Sequence, residues 1–231
     1  MIIILLLGCA IIALICSIIR QTRKNKNLLR TVTKLHRGTR SERDLILRLL
    51  KHGIPAITIF HDLYVKKFNS NYSQIDVVVA TTVGIIVFEV KNYSGWLFGK
   101  GYQSHWMQVL AYGREKHKFY NPIRQNDSHC ISLRRKLALC ANVPFYSVIV
   151  FYGNCVFRNI SSIPESTYVI RPKEITKVFD RILATNPPAN YTSKREVVKI
   201  LKEAVQNGDN PAILLQHVQN IRQMLNRKSS Y

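Results

Sequence analysis

Acidic side chains are scarce in this sequence. Thirteen Asp and Glu stand against 34 Lys and Arg, a formal charge of +21. An imbalance of that size bears on partners rather than on fold. It draws polyanions, either nucleic acid or anionic lipid head groups. Cysteine is also thin. The five present form no C-x-x-C pair, and two of them, Cys9 and Cys16, lie in an apolar segment. This excludes a disulfide framework and a zinc-ligand spacing, and points to a reducing compartment. No internal repeat and no low-complexity tract occurs. What remains is a chain of 231 residues, 47% of them apolar, enough to bury the core of one domain with appendages.

The first twenty residues, MIIILLLGCAIIALICSIIR, carry no charged side chain before Arg20. Residues 2–19 as a helix reach about 27 Å, just short of a hydrocarbon core of about 30 Å, and flanking residues can make up the difference. No basic front end or small-residue cleavage site marks a signal peptide. Arg20, Arg23, Lys24 and Lys26 follow at once. The expectation is a transmembrane anchor over 1–20 and a basic juxtamembrane linker over 21–37 facing anionic lipid. The amino terminus would lie outside and the main domain in the cytoplasm, at the plasma membrane.

Beyond the linker, Thr39 opens a helical pattern with Leu45, Ile46, Leu49 and Leu50 on one side, ended by Gly53 and Pro55. An extended piece over 56–60 follows, then strands over 75–80 and 85–91 joined around Thr82 and Val83. Short strands are expected at 96–98 and 105–108. Asn121-Pro122 starts a helix reaching about Cys140, and residues 145–152 make a strand covered on both faces. A further strand over 167–170 precedes a short helix after Pro172. The expected fold is α/β, a mixed sheet flanked by helices over 38–183. A linker over 184–192 leads to C-terminal helices over 193–231, where Ser193 with Glu196, and Asn210-Pro211, mark the starts. This helical pair is expected to pack on the main domain or on a partner.

The stretch QIDVVVATTVGIIVFEVKN, residues 74–92, sets three ionisable groups against an apolar hairpin. Glu89 and Lys91 share one strand face. If the turn is centred between Thr82 and Val83, paired positions sum to 165 and Asp76 lies opposite Glu89, with Cβ atoms about 5 Å apart. A three-residue loop would instead send the two carboxylates to opposite faces. In the first register two acids converge, and one pKa is driven up unless a cation intervenes. Mg²⁺ or Mn²⁺ suits such oxygen ligands and can activate a water for phosphodiester hydrolysis. Lys91 is placed to orient that water or to stabilise charge on the phosphate. The alternative is a cross-strand salt bridge on a solvated face, which the apolar run VVVATTVGIIVF opposes.

D-x₁₂-E-x-K across a hairpin resembles the PD-(D/E)xK nucleases of restriction-endonuclease-like fold. The region from Gly38 to about Leu139 is similar to the nuclease-related domain (NERD) family. The likeness rests on GTRSE at 38–42, QID at 74–76, GIIVFEVKNYSG at 84–95, Trp106 with Gln108, and NPIRQN at 121–126. It implies Asp76 and Glu89 as metal ligands, Lys91 as the catalytic lysine, Glu42 as a helix carboxylate supporting the metal, and Gln125 as a polar residue contributed by the following helix. Where the family usually has glycine before that glutamate, this chain has Ser41. Thr39-x-x-Glu42 is also a capping box, which would occupy the Glu42 carboxylate with backbone.

Lys116, Lys118, Tyr120 and Arg124 interleave charge with aromatic faces ahead of the Asn121 helix, a mixture suited to phosphates and exposed bases. The same run could equally be a solvated loop and helix face. His105, His117 and His129 are singletons of surface or packing character, and Trp96 and Trp106 are core or sheet-surface aromatics. Three functions fit. The first is a membrane-anchored, metal-dependent nuclease, with DNA expected over RNA. The others are an inactive membrane-tethered nucleic-acid-binding module and a basic interaction protein at the membrane surface.

Overall fold

The computed structural model describes the backbone of residues 2–67 and 71–228, and the side chains of 7–67 and 71–223. Helix α1 (Ile2–Arg30) runs without a break through the apolar segment and most of the basic one. Among the described residues no helix is long and apolar enough to cross a membrane. The expected anchor is therefore not supported. From Arg20 onward the same helix carries charge, and its far end turns to the protein core through buried Leu29. Side chains 2–6 of the expected span lie outside the described residues.

Helix α2 (Arg40–Lys51) begins at the Thr39 cap. A five-stranded sheet follows, in the spatial order β1 (Ile59–Lys66), β2 (Tyr72–Ala80), β3 (Ile85–Asn92), β7 (Phe145–Tyr152) and β9 (Thr167–Ile170). The first three strands are antiparallel, whereas β7 and β9 run parallel to β3. Between β3 and β7 the chain builds a second sheet, from β4 (Gly95–Lys100), β5 (His105–Leu110) and β6 (Glu115–Tyr120), and then α3 (Pro122–Leu137). β8 (Cys155–Ser161) completes that sheet, in the order β6-β5-β4-β8. The single mixed sheet expected from sequence is therefore two mixed sheets. Residues 115–120, EKHKFY, expose nearly their whole length, and residues 155–161, CVFRNIS, lack a regular buried/exposed alternation, so neither reads as a strand.

Alternation places the core on both faces of the first sheet. One face packs Val77, Val79, Ile86 and Phe88 against Leu45, Ile46 and Leu49 of α2 and against Phe179 and Ile182 of α4 (Ile175–Thr185). The other packs Val78, Ile85 and Val87 against Leu133 and Leu137 of α3 and Val197 and Leu201 of α5 (Lys194–Asn207). A last helix, α6, covers Pro211–Lys228. The segment before α5 is tied down: Ala189 N–H donates to the Thr82 carbonyl at 2.8 Å and Tyr191 O–H to that of Thr81 at 2.8 Å.

The β2–β3 turn settles the register. Ala80 pairs Ile85 and Val77 pairs Phe88, so paired positions sum to 165 and the loop is even. Thr81 closes it, donating its N–H and its hydroxyl to the Gly84 carbonyl at 2.9 and 2.8 Å. Gly84 has φ 141°, and a Cβ there would lie 2.4 Å from the Pro144 carbonyl oxygen. Only glycine fits that approach.

Candidate active site

The register carries Asp76 and Glu89 to one face, next to the last ladder pair. Val90 N–H donates to Asp76 Oδ2 at 2.7 Å. Glu89 is buried, at 2% exposure. Lys91 Nζ lies 2.5 Å from Glu89 Oε1 and donates to Gln125 Oε1 at 3.0 Å. Gln125 stands in the first turn of α3, which Asn121 caps by accepting from Ile123 N–H at 2.9 Å. Asn121 also donates to the carbonyls of Lys100, Gly101 and Gln103, fixing the helix start to the β4–β5 turn. Asp76, Glu89, Lys91 and Gln125, separated by up to 49 positions in sequence, thus meet at one point.

Two buried histidines complete the surroundings. His129 Nε2 donates to Glu89 Oε2 at 3.2 Å while its Nδ1 accepts from the Ser73 hydroxyl at 2.8 Å. His129 is therefore a buried packing residue that also partners Glu89, a contact not foreseen from sequence; His105 and His117 are exposed. The signal was available. Gln125 and His129 are four apart on one helix, hence on one side of it. On β1, His61 Nε2 donates to Glu42 Oε2 at 3.0 Å and its Nδ1 accepts from Thr33 Oγ1 at 2.7 Å. The other oxygen of Glu42 accepts from Thr39 N–H and Oγ1 at 3.2 and 2.7 Å. Both carboxylate oxygens of Glu42 are thus occupied by the capping box and by His61.

Beside Asp76 the sheet is kinked. Asp62 on β1 takes φ 56°, and the ladder pair between it and Asp76 is missing. A left-handed non-glycine residue inside a strand is strained. Arg37 holds it there, donating to Asp62 Oδ2 at 3.0 Å and to the Asp62 carbonyl at 2.8 Å, while Gln74 donates to Oδ1 at 2.8 Å. None of these three was singled out from sequence. A Pro or Gly would have flagged the kink, and none is present.

The charges do not balance. Burial, the neighbouring charge of Glu89 and then that of Glu42 push the Asp76 carboxyl well above its usual range, against the Val90 N–H and Lys91. Burial also opposes ionisation of Glu89, but the hydrogen bond from His129 and the charge of Lys91 outweigh it and hold Glu89 low. Lys91 is held high because Glu89 outweighs its own burial. Burial of Glu42 is likewise outweighed by the hydrogen bonds from His61 and Thr39. Glu89 and Lys91 therefore form an ion pair, and Asp76 is the carboxylate left without a cation. That imbalance fits a divalent ion. Among the described residues no three His, Cys, Asp or Glu side chains are grouped to hold a metal. A Mg²⁺ bound by one or two carboxylates, with water and phosphate oxygens completing its shell, needs no third.

Gly38 is a tight point of this framework. Its φ is 61°, and a Cβ would lie 2.3 Å from Glu42 Oε2 and 2.4 Å from His61 Nε2. Gly38→Ala is expected to push the Glu42–His61 pair apart and to destabilise the chain by about 2–3 kcal/mol, combining backbone strain with a broken buried hydrogen bond. Thermal unfolding would register this as a fall of at least about 4 °C, and an unchanged midpoint would contradict it.

Lys116, Lys118 and Tyr120 lie on exposed β6, on one side of the strand, and Arg124 is exposed in the first turn of α3. Phe119 between them turns inward and stacks on Tyr93, with ring centroids 4.4 Å apart. Trp106 is core, stacked on Phe151 at 6.0 Å.

The comparisons with known proteins agree with this architecture. The family model described as nuclease-related domain matches residues 37–152, half of the chain. An uncharacterized protein of Bacillus anthracis is 26% identical over 157 residues, covering 66% of this chain and 72% of that one. No solved structure matches. By the extent of the family match, which spans the β2–β3 hairpin and the start of α3, the chain belongs to the nuclease-related domain family.

Proposed function

We propose that this protein is a metal-dependent nuclease that hydrolyses phosphodiester bonds, with DNA preferred over RNA. One observation carries the reading: Asp76, Glu89, Lys91 and Gln125 converge on a face where Asp76 lacks a counter-charge. Asp76 and Glu89 would hold Mg²⁺ or Mn²⁺, with Glu42 acting on Asp76 through its charge. When bound, such an ion supplies a Lewis acid and a water of lowered pKa. Lys91, steadied between Glu89 Oε1 and Gln125 Oε1, keeps one N–H free to orient the attacking water or to meet charge growing on the phosphate. His129 keeps the Glu89 carboxylate turned toward Lys91. Lys116, Lys118, Tyr120 and Arg124 would bind the nucleic acid, a role their exposure supports.

The test is incubation of the full chain with supercoiled plasmid, single-stranded DNA and RNA, with Mg²⁺, with Mn²⁺ and with chelator. The expected result is cleavage of DNA that needs the metal and disappears in Asp76→Ala. Cleavage indifferent to chelator or to that substitution would overturn the reading. Tight, salt-sensitive binding without turnover would replace it by the inactive binding module.

A membrane location is carried forward as surface contact. Ile11, Ile12, Leu14 and Ile18 are more than half exposed on α1 and run straight into its basic stretch, a pairing suited to an anionic leaflet on the cytoplasmic side. Co-sedimentation with phosphatidylserine vesicles, lost on removing residues 2–19, is the expected outcome.

A further inference from the structure

The cluster of Asp76, Glu89, Lys91 and Gln125 uses no side chain from the outer face of the second sheet, where Lys118, already proposed to meet nucleic acid, stands. The inner face of that sheet buries Leu97 and Trp106 against Ile149 and Phe151. Alternation turns the intervening residues outward. Phe98 pairs with Met107 and Met107 with Lys118, so these three side chains stand in a row. Trp96, Phe98 and Met107 there are only partly buried, while Lys118 and Arg158 are exposed. The Arg158 guanidinium sits 4.7 Å above the Trp96 ring centroid. A cleft of about 320 Å³ opens beside them, walled by Phe98, Lys100, Met107 and Lys118, and no acidic side chain lines it.

Flat apolar rings ringed by cations, with no anion among the lining residues, match one kind of ligand. A duplex keeps its bases stacked inside and offers such a face only phosphates. A single strand offers free base faces together with phosphates, and aromatic side chains take the first while lysine and arginine take the second. We propose that the outer face of this sheet binds single-stranded nucleic acid. Bases stack on Trp96 and Phe98, and phosphates lie against Lys100, Lys118 and Arg158. The inference rests on the nuclease reading for its substrate class and deepens it, making an unpaired strand or end the preferred substrate.

The full chain, without metal, is titrated with an oligothymidylate of about twelve nucleotides, within the site sizes of single-strand binders, with a matched duplex and with phosphatidylserine vesicles. Trp96 is the reporter, since Trp106 is only 1% exposed. The oligothymidylate is expected to quench its fluorescence and to bind at least about tenfold more tightly than the duplex. Read by anisotropy of a labelled oligothymidylate, Trp96→Ala or Phe98→Ala should weaken single-strand binding about tenfold and duplex binding less than twofold, whereas Trp96→Phe should restore most of it. Equal affinity for both forms, unchanged single-strand binding in the two alanine variants, or quenching by vesicles alone would each overturn the proposal. Cleavage is read separately. Single-strand binding at this face in a chain without turnover would sustain the platform and remove the hydrolysis; turnover with no single-strand preference would do the reverse.

Discussion

Lys91→Ala is expected to lower metal-dependent cleavage by about a hundred- to a thousandfold, the usual loss when a preorganised charge aimed at a developing anion is removed. The size follows from how firmly the ammonium is held. Glu89 takes one of its protons at 2.5 Å and Gln125 another at 3.0 Å, so the third is pre-aimed before substrate arrives. Nucleic-acid affinity should change little, because the phosphate contacts proposed on β6 and on the second sheet lie apart from Lys91. Stability should fall as well. Removing one member of a buried ion pair costs about 3–5 kcal/mol when the survivor is left bare, but Glu89 retains His129, so a loss near the lower end is expected. Gel assays of initial rate, with binding by anisotropy and unfolding by circular dichroism, separate the three. A variant within about tenfold of wild-type rate would end the assignment of Lys91.

The parts of this site legible in sequence were those that strand and hairpin arithmetic controls. Period-two alternation put Glu89 and Lys91 together, and the even Thr81–Gly84 turn put Asp76 beside them. Gln125 was legible only through the family likeness, because nothing local says which strand a helix start will face. The partners that lie far off in sequence escaped. His129 reaches Glu89 across 40 positions and Arg37 reaches Asp62 across 25, and such pairings depend on tertiary packing that no local pattern encodes. Glu42 shows the converse. Its capping box was legible and is formed, and the buried His61 that takes its other oxygen was not. The apolar amino-terminal run illustrates a different limit. Hydropathy over residues 2–19 suggested a span, whereas the helix it forms is continuous with charged turns and with a core contact at Leu29.

Asp76→Asn is expected to stabilise the protein once pH has risen through the folded pKa of Asp76, while abolishing its response to divalent metal. Asp76 carries a proton more tightly in the folded chain than in the unfolded one, since burial and the charges of Glu89 and Glu42 oppose its ionisation. A raised folded pKa contributes stability fully present below the unfolded value of about 4 and lost as pH rises through the folded value. That contribution leaves the wild type as pH rises through the folded value, and a neutral amide keeps it. Asn also keeps an oxygen for the Val90 N–H. An uncompensated buried charge costs several kcal/mol; with the Val90 N–H and Lys91 returning part, the gain is about 2 kcal/mol, or roughly 4–8 °C in Tm for a chain of this size. At pH 4 the two proteins should melt together. Mg²⁺ at a hundredfold excess over its Kd should raise wild-type stability by about 2.7 kcal/mol and leave the variant unmoved. The crossing of those two behaviours, a variant more stable without metal and less responsive with it, marks a carboxylate kept for binding rather than for folding. A variant that melts lower than wild type above that folded pKa, or gains as much from Mg²⁺, would show that Asp76 serves the fold instead.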